Sequence, residues 1–104
     1  MSGFLRQILS DQETGTGVIK LRDDELLGAL HMSGTTAGAG WIIVRENDAN
    51  GREIARVYSD VQAPMILYGP FEHIGKLIYW TVVGTAALAQ LFAWKDAAGR
   101  RHNF

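Results

Sequence analysis

Short apolar runs separated by glycine-rich or acidic breaks dominate the chain. Many of the runs are rich in Val, Ile, Thr and aromatic residues, which is a composition typical of β-strands. The pattern predicts seven or eight short strands, at residues 17–22, 25–32, 40–46, 52–59, 64–69, 75–83 and 86–95. Connections this short favour antiparallel pairing. We therefore expect an all-β fold, an antiparallel β-sandwich or jelly roll.

Two segments give local detail within this fold. The runs WIIVRE and REIARVYSD flank the loop NDANG, whose Asn50-Gly51 pair can adopt positive φ, so they predict a β-hairpin. Gly28 interrupts the apolar run ELLGALHMSG, which predicts a bulge or a close contact within that strand.

The stretch from Lys76 to Lys95 admits two interpretations, because its two lysines enclose eighteen consecutive uncharged residues. That length just reaches a membrane-spanning helix. However, LIYWTVV has the composition of a strand, and in TAALAQLFAW the larger residues alternate with the smaller ones. We expect two strands joined as a hairpin near Gly84, with Leu88, Gln90, Phe92 and Trp94 on one face and Ala87, Ala89, Leu91 and Ala93 on the other.

The segments at the two ends of the chain lie outside the predicted sandwich, which we place at residues 16–96. Residues 1–15 form an N-terminal arm in which the apolar spacing indicates about two helical turns, at Phe4, Leu5, Ile8 and Leu9. These side chains either pack on their own domain or dock on a neighbouring subunit. Residues 97–104 form a basic tail, in which Arg100 and Arg101 are either solvated or contact an acidic surface of a partner.

Composition narrows the function classes. The chain has ten Lys and Arg against eleven Asp and Glu, so its net charge indicates neither nucleic acid nor an anionic membrane as a partner. It has no cysteine, which excludes disulfides and thiolate metal sites. The N-terminus lacks the long apolar core of a secretory signal, so we expect synthesis in the cytoplasm.

The loop around residue 48 comes nearest to a metal motif. Glu46, Asp48, Asn50 and Gly51 match the start of an EF-hand calcium loop, but Val57 stands where the closing carboxylate should be. We interpret the segment as a polar hairpin turn without a metal.

No other segment assembles a reactive site. The glycines of SGTTAGAG lack the rest of a phosphate-binding motif, and His31, His73 and His102 lack metal-ligand spacing. A nucleophilic cysteine and a GxSxG turn are both missing. The sequence therefore predicts a protein that is not an enzyme and needs no cofactor.

The order of elements resembles that of small β-sandwich virion proteins of tailed bacteriophages, such as head decoration or spike-base proteins. The likeness lies in WIIVRENDANGREI, a proline-bearing strand after it, and GPFEHIGKLIYWTVVGTAALAQLFAW, and it covers roughly residues 25 to 95. It implies a virion protein made in the host cytoplasm that assembles as a homo-oligomer, commonly a trimer, on the major capsid protein or other virion proteins. The high apolar share, 47% of the residues, independently favours burial against other subunits.

Two alternatives remain open. In a receptor- or carbohydrate-binding module, exposed aromatic residues such as Trp41, Tyr58 and Trp80 would stack on sugar rings. In a small single-span membrane protein, the stretch from Lys76 to Lys95 would cross the bilayer.

Overall fold

Eight strands contain most of the residues that the computed structural model describes, which are 3–12, 14–33, 40–59, 65–84 and 88–96. In chain order they are β1 (Gly3–Gln12), β2 (Gly15–Lys20), β3 (Glu25–Ser33), β4 (Gly40–Glu46), β5 (Glu53–Ser59), β6 (Met65–Tyr68), β7 (Leu77–Gly84) and β8 (Leu88–Asp96). The strands predicted from residue 17 onwards are confirmed, with ends that differ by at most two residues.

The strands form two antiparallel sheets. Sheet A has the order β1-β8-β3-β6, and sheet B has the order β2-β7-β4-β5. Every connection except the one from β4 to β5 passes from one sheet to the other. This arrangement is that of an eight-stranded jelly roll, so the expected all-β sandwich is confirmed.

The core lies between the sheets and follows the alternation of each strand. The inward side chains include Leu27 and Leu30 of β3, Ile42 and Val44 of β4, and Leu91 of β8, and each of them is fully buried. A strand buried on one face places every second residue in the core. The outward residues of the same strands are therefore the ones left for contact with other molecules.

β8 places its smaller residues inward, which decides between the two faces that its alternation predicted. Ala89, Leu91 and Ala93 are fully buried, whereas Phe92 and Trp94 lie half-buried on the outer face of sheet A. Gly28 provides room there, because a Cβ at this position would lie 2.6 Å from Trp94 Cβ. The register with β8 also shifts between Leu27 and Ala29, so both the bulge and the close contact expected at Gly28 are present.

The helix expected at the N-terminus is wrong. Residues 3–12 form β1, which pairs with β8 and therefore belongs to sheet A, although the sandwich was predicted to begin only at residue 16. Two helical turns would satisfy few backbone groups, whereas the edge of β8 supplies hydrogen-bond partners along the segment. Register irregularities between Gln7 and Gln12 allow the consecutive residues Ile8 and Leu9 both to pack against the core.

The stretch from Lys76 to Lys95 contains two strands, as expected, but they do not form a hairpin. β7 lies in sheet B between β2 and β4, and β8 lies in sheet A between β1 and β3. Residues 85–87, which connect them, lie outside the described part of the chain. Within the described ranges no helix is long and apolar enough to cross a membrane.

The hairpin of β4 and β5 is confirmed, with a different source of positive φ. Asn47 adopts a φ of 68°, and Asn50 and Gly51 do not adopt positive φ. Gly51 is needed for space instead, because a Cβ there would overlap the Glu46 carbonyl oxygen.

An ion pair between a partly exposed arginine and a buried carboxylate ties β1 to β3 across β8. Arg6 donates two hydrogen bonds to the Glu25 carboxylate, from Nε at 2.8 Å and from Nη2 at 2.7 Å. Glu25 is the first residue of β3, as predicted, and is 2% exposed. Its carboxylate also accepts the Arg22 backbone N–H at 3.0 Å. The hydrogen bonds from Arg6, with a smaller contribution from the Arg22 backbone, lower the pKa of Glu25.

We expect Arg6→Ala to destabilise the protein by about 1–3 kcal/mol, because the Glu25 carboxylate keeps its buried position without its cation. The solvent access of Arg6, which is 37% exposed, places the loss below that of a fully buried pair. Arg56→Ala, which breaks an exposed pair with Glu53, is the matched control and should lose much less. Urea unfolding measures both variants, and equal losses would contradict a special role for the pair of Arg6 and Glu25.

Candidate functional site

The outer face of sheet A carries a set of large apolar side chains, three of which are more than 40% exposed. We name this set the apolar face. Its members are Leu5 of β1, Leu26 of β3, Ile66 and Tyr68 of β6, and Phe92 and Trp94 of β8. The strand registers place them together, because residues paired across an antiparallel sheet point to the same side.

The members near the two edges of sheet A are the most accessible. Tyr68 is 65% exposed, Leu5 is 47% exposed and Ile66 is 43% exposed. Phe92 and Trp94 lie between them and are half-buried. The face also has a polar contact, because His31 Nδ1 and Gln90 Oε1 are 3.1 Å apart. Contiguous apolar surface with a few polar groups is typical of a protein interaction site.

The outer face of sheet B differs from that of sheet A in charge. It carries Lys20, Arg45 and Arg56, and Arg56 pairs with Glu53 on the same strand. It also carries large apolar side chains, namely Val18, Trp41, Ile43, Tyr58, Leu77, Tyr79 and Val83. The rows of paired residues that contain the apolar face carry no Lys, Arg, Asp or Glu, so the two outer faces differ in charge rather than in apolar content.

One end of the sandwich is built by polar contacts around residues 69–76, which connect β6 to β7. The Glu46 carboxylate accepts the Ile74 backbone N–H at 2.7 Å and Arg52 Nη2 at 2.8 Å. The hydrogen bond from Arg52, followed by that from the Ile74 backbone, lowers the pKa of Glu46. A second link joins the segment to β3, where Lys76 Nζ donates to the Glu25 backbone oxygen at 2.6 Å.

These contacts explain why the EF-hand-like residues act as a turn. The Glu46 carboxylate is occupied by Arg52 and Ile74, and Asp48 accepts the Asn50 backbone N–H at 2.9 Å. Among the described residues no group of three or more His, Cys, Asp or Glu side chains is placed to hold a metal. The carboxylates of this turn organise the local backbone.

A groove of about 580 Å³ lies beside the same loop. Its lining combines apolar and charged residues, namely Leu26, Arg52, Pro70, Phe71, Glu72, His73 and Ile74. Ile74 is 79% exposed at its rim. The two ring nitrogens of His73 are both engaged by backbone groups, so this imidazole holds the loop in place and is not free to coordinate a ligand.

His73 is held in one neutral form. Its Nε2 accepts the Leu27 backbone N–H at 3.0 Å, so Nδ1 carries the proton and donates to the Gly75 oxygen, also at 3.0 Å. Burial lowers the pKa of His73 from its usual value of 6.5, the hydrogen bond to Gly75 raises it, and nearby Lys76 lowers it further. A proton on Nε2 would remove the acceptor that Leu27 uses.

The residues predicted to bind a partner divide into three groups. Phe4 and Leu5 are exposed at 60% and 47%, so they are accessible as expected. Ile8 and Leu9 pack against the protein's own core, which removes them from a partner surface. Arg100 and Arg101 lie outside the described residues, as does His102, one of the three histidines considered as metal ligands.

The three aromatic residues proposed for sugar stacking do not form one site. Trp41 lies opposite Tyr58 on the outer face of sheet B, and Tyr58 is 58% exposed. Trp80 points to the other side of that sheet, is 7% exposed and belongs to the core. Gly17 on the adjacent strand provides room for its ring, because a Cβ there would lie 2.7 Å from Trp80 Cζ2. Trp80 is thus excluded from a surface site.

Sequence reasoning did not single out Ile66, Tyr68, Phe92 and Trp94 as surface residues. The alternation of β8 was visible, but a period of two does not say which face is inward. The run MILY follows Pro64, which already indicated an edge or a strand end, and it contains no charge. An uncharged edge strand was the signal available for this surface.

Comparison of the chain with protein-family models, with curated proteins and with solved structures finds no match.

We expect the folded protein to lose stability as the pH falls from about 6.5 through the lowered pKa of His73. Over that range the unfolded chain binds the proton first, so protonation favours unfolding. The stability that the neutral His73 side chain contributes is fully present above its usual pKa of 6.5. Thermal melts from pH 8 to 5 measure it, and His73→Gln should remove this step while keeping a polar side chain. An unchanged pH profile in that variant would contradict the role of His73.

Proposed function

We propose that the protein is a non-enzymatic structural subunit that assembles with copies of itself and with a larger protein shell. The apolar face carries this proposal, because six large side chains lie together on one outer side of a rigid sandwich. Monomeric proteins seldom expose such a surface unless it binds something. The opposite outer face also has exposed apolar side chains but places Lys20, Arg45 and Arg56 among them, so the apolar face is the uncharged one of the two.

The virion of a tailed bacteriophage is the proposed setting, with the chain as a capsid decoration or head-spike subunit. This setting comes from the sequence resemblance. The jelly roll supports it to the extent that capsid proteins use this topology, which lectins also share. The resemblance also implies a trimer, whereas the proposal itself is self-association and binding to the shell.

We expect purified protein to self-associate, which light scattering on a detergent-free column measures. Ile66→Lys should lower the extent of association by placing a charge on the apolar face. Val18→Lys is the matched control, since Val18 is similarly exposed, at 53%, but lies on the outer face of sheet B. Equal effects of the two substitutions would contradict the apolar face as the contact surface.

Binding to a shell is tested by co-sedimentation with assembled bacteriophage capsids that lack their decoration proteins. The proposal predicts that the protein pellets with capsids and that Leu5→Lys weakens this. A protein that neither self-associates nor sediments with any assembled shell would overturn the proposed function.

A glycan-binding module is the second candidate, and the Trp41–Tyr58 pair favours it. Such a pair can stack on sugar rings. The assembly proposal predicts that a glycan panel leaves tryptophan fluorescence unchanged. Quenching that disappears in Trp41→Phe but persists in Trp94→Phe would establish the glycan module instead, because Trp94 lies on the other sheet.

A further inference from the structure

The two sheets have four edge strands, and three of them contain features that discourage pairing with another chain. β1 contains Arg6 and has two irregularities in its register. β2 contains Lys20, and β5 contains the paired Glu53 and Arg56. Charges and bulges of this kind are common protection for sheet edges.

β6 lacks such protection. Its four residues, Met65, Ile66, Leu67 and Tyr68, are uncharged and exposed by 39% to 65%. Among the described residues it pairs only with β3, so the other side of its backbone has no strand partner there. β6 is thus the edge where another strand meets neither a charge nor a bulge.

The direction of its backbone groups follows from the hydrogen bonds to β3. The Gly69 N–H donates to the Gly28 oxygen at 2.7 Å, so residue 69 faces β3. Because successive residues alternate, Leu67 and Met65 also face β3, and Ile66 and Tyr68 direct their N–H and C=O groups to the open edge. Two donors and two acceptors are therefore available there.

We propose that β6 pairs antiparallel with β6 of a second copy, across a two-fold axis at Leu67. This inference rests on the proposed self-association and names the strand edge through which two copies meet. Ile66 then lies opposite the partner's Tyr68, and Tyr68 lies opposite the partner's Ile66. Each pair exchanges two backbone hydrogen bonds, so all four outward groups are satisfied. Leu67 lies opposite the partner's Leu67 in a pair without hydrogen bonds.

A second copy fits this edge better than a charged or unrelated strand for two reasons. The register is complementary to itself, as an interface around a two-fold axis requires. In addition, each Ile66 side chain meets an aromatic ring of the partner on the outer side of sheet A, which is a favourable cross-strand pair. The two sheets A become one eight-stranded sheet whose apolar face continues across the axis.

The pairing produces a dimer, or an even-numbered assembly of dimers. It therefore differs from the trimer that the sequence resemblance implies. Four residues per copy make a small interface, so we expect dissociation in the micromolar range.

Single-cysteine variants test the register, because the natural chain has no cysteine. In Leu67→Cys, the two Cα atoms across the axis lie about 4.5 Å apart, within the range that a disulfide spans. In Ile66→Cys and in Tyr68→Cys, the two cysteines of the dimer are diagonal neighbours across the two strands. Their Cα atoms lie more than about 7 Å apart, which is too far for a disulfide. These two variants are the matched controls.

Under mild oxidation at micromolar concentration, we expect Leu67→Cys to form disulfide dimers at least about tenfold faster than either control. A mixture of Ile66→Cys with Tyr68→Cys should cross-link faster than either variant alone, because the proposed register places those positions opposite each other. Equal rates at the three positions, or no cross-linking of Leu67→Cys, would overturn the pairing. Near-ultraviolet circular dichroism confirms that each variant is folded.

Ile66→Pro provides a second test that acts on the backbone. It removes an outward N–H and leaves the hydrogen bonds to β3 in place, and proline is tolerated at such edge positions. We expect it to raise the dimer dissociation constant at least about tenfold. A folded variant that dimerises as tightly as the natural protein would overturn the proposal.

Light scattering on the natural protein separates this inference from the proposed function. An oligomer that fails to cross-link at Leu67 overturns the β6 pairing and leaves assembly intact. A protein that stays monomeric at every concentration yet sediments with capsids also overturns the pairing alone.

Discussion

Burial of the two inner sheet faces against each other is the constraint on which the rest of the structure depends. Because almost every connection crosses between the sheets, neither sheet is built from one continuous stretch of the chain. The chain is short, so one apolar layer must supply most of its stability. The inner face of each strand is consequently determined by packing, and Trp80 fits that layer because Gly17 leaves space for its ring.

The same constraint explains why large apolar residues lie outside. The inner side of β8 contains Ala89 and Ala93, and the bulkier Phe92 and Trp94 are directed to the outer face by the alternation of the strand. Gly28 lets Trp94 lie close to β3, so the outer face is packed as well as apolar. Because these side chains are already held in place, the surface can bind a partner with little loss of side-chain entropy.

Most of the fold was predictable from the sequence, because runs of β-branched residues and glycine-rich breaks are local signals. What could not be predicted depends on distant contacts. β1 has a helical spacing and becomes a strand because β8 offers it an edge, and β7 and β8 separate because each finds partners in a different sheet. The candidate surface was less predictable, because the alternation of β8 shows two faces without showing which of them, the one with Ala93 or the one with Trp94, is buried. Of the four apolar residues predicted as partner contacts near the N-terminus, Phe4 and Leu5 are exposed, whereas Ile8 and Leu9 pack against the protein's own core.

The central claim is that the uncharged edge at β6 is where this subunit meets its copy. Residue-resolved amide hydrogen exchange at low and high protein concentration tests it most directly. Our account predicts that exchange at Ile66 and Tyr68 slows as the concentration rises, because their N–H groups become hydrogen-bonded, whereas Leu67 is already protected by β3. Fast exchange at Ile66 and Tyr68 at every concentration would contradict the account.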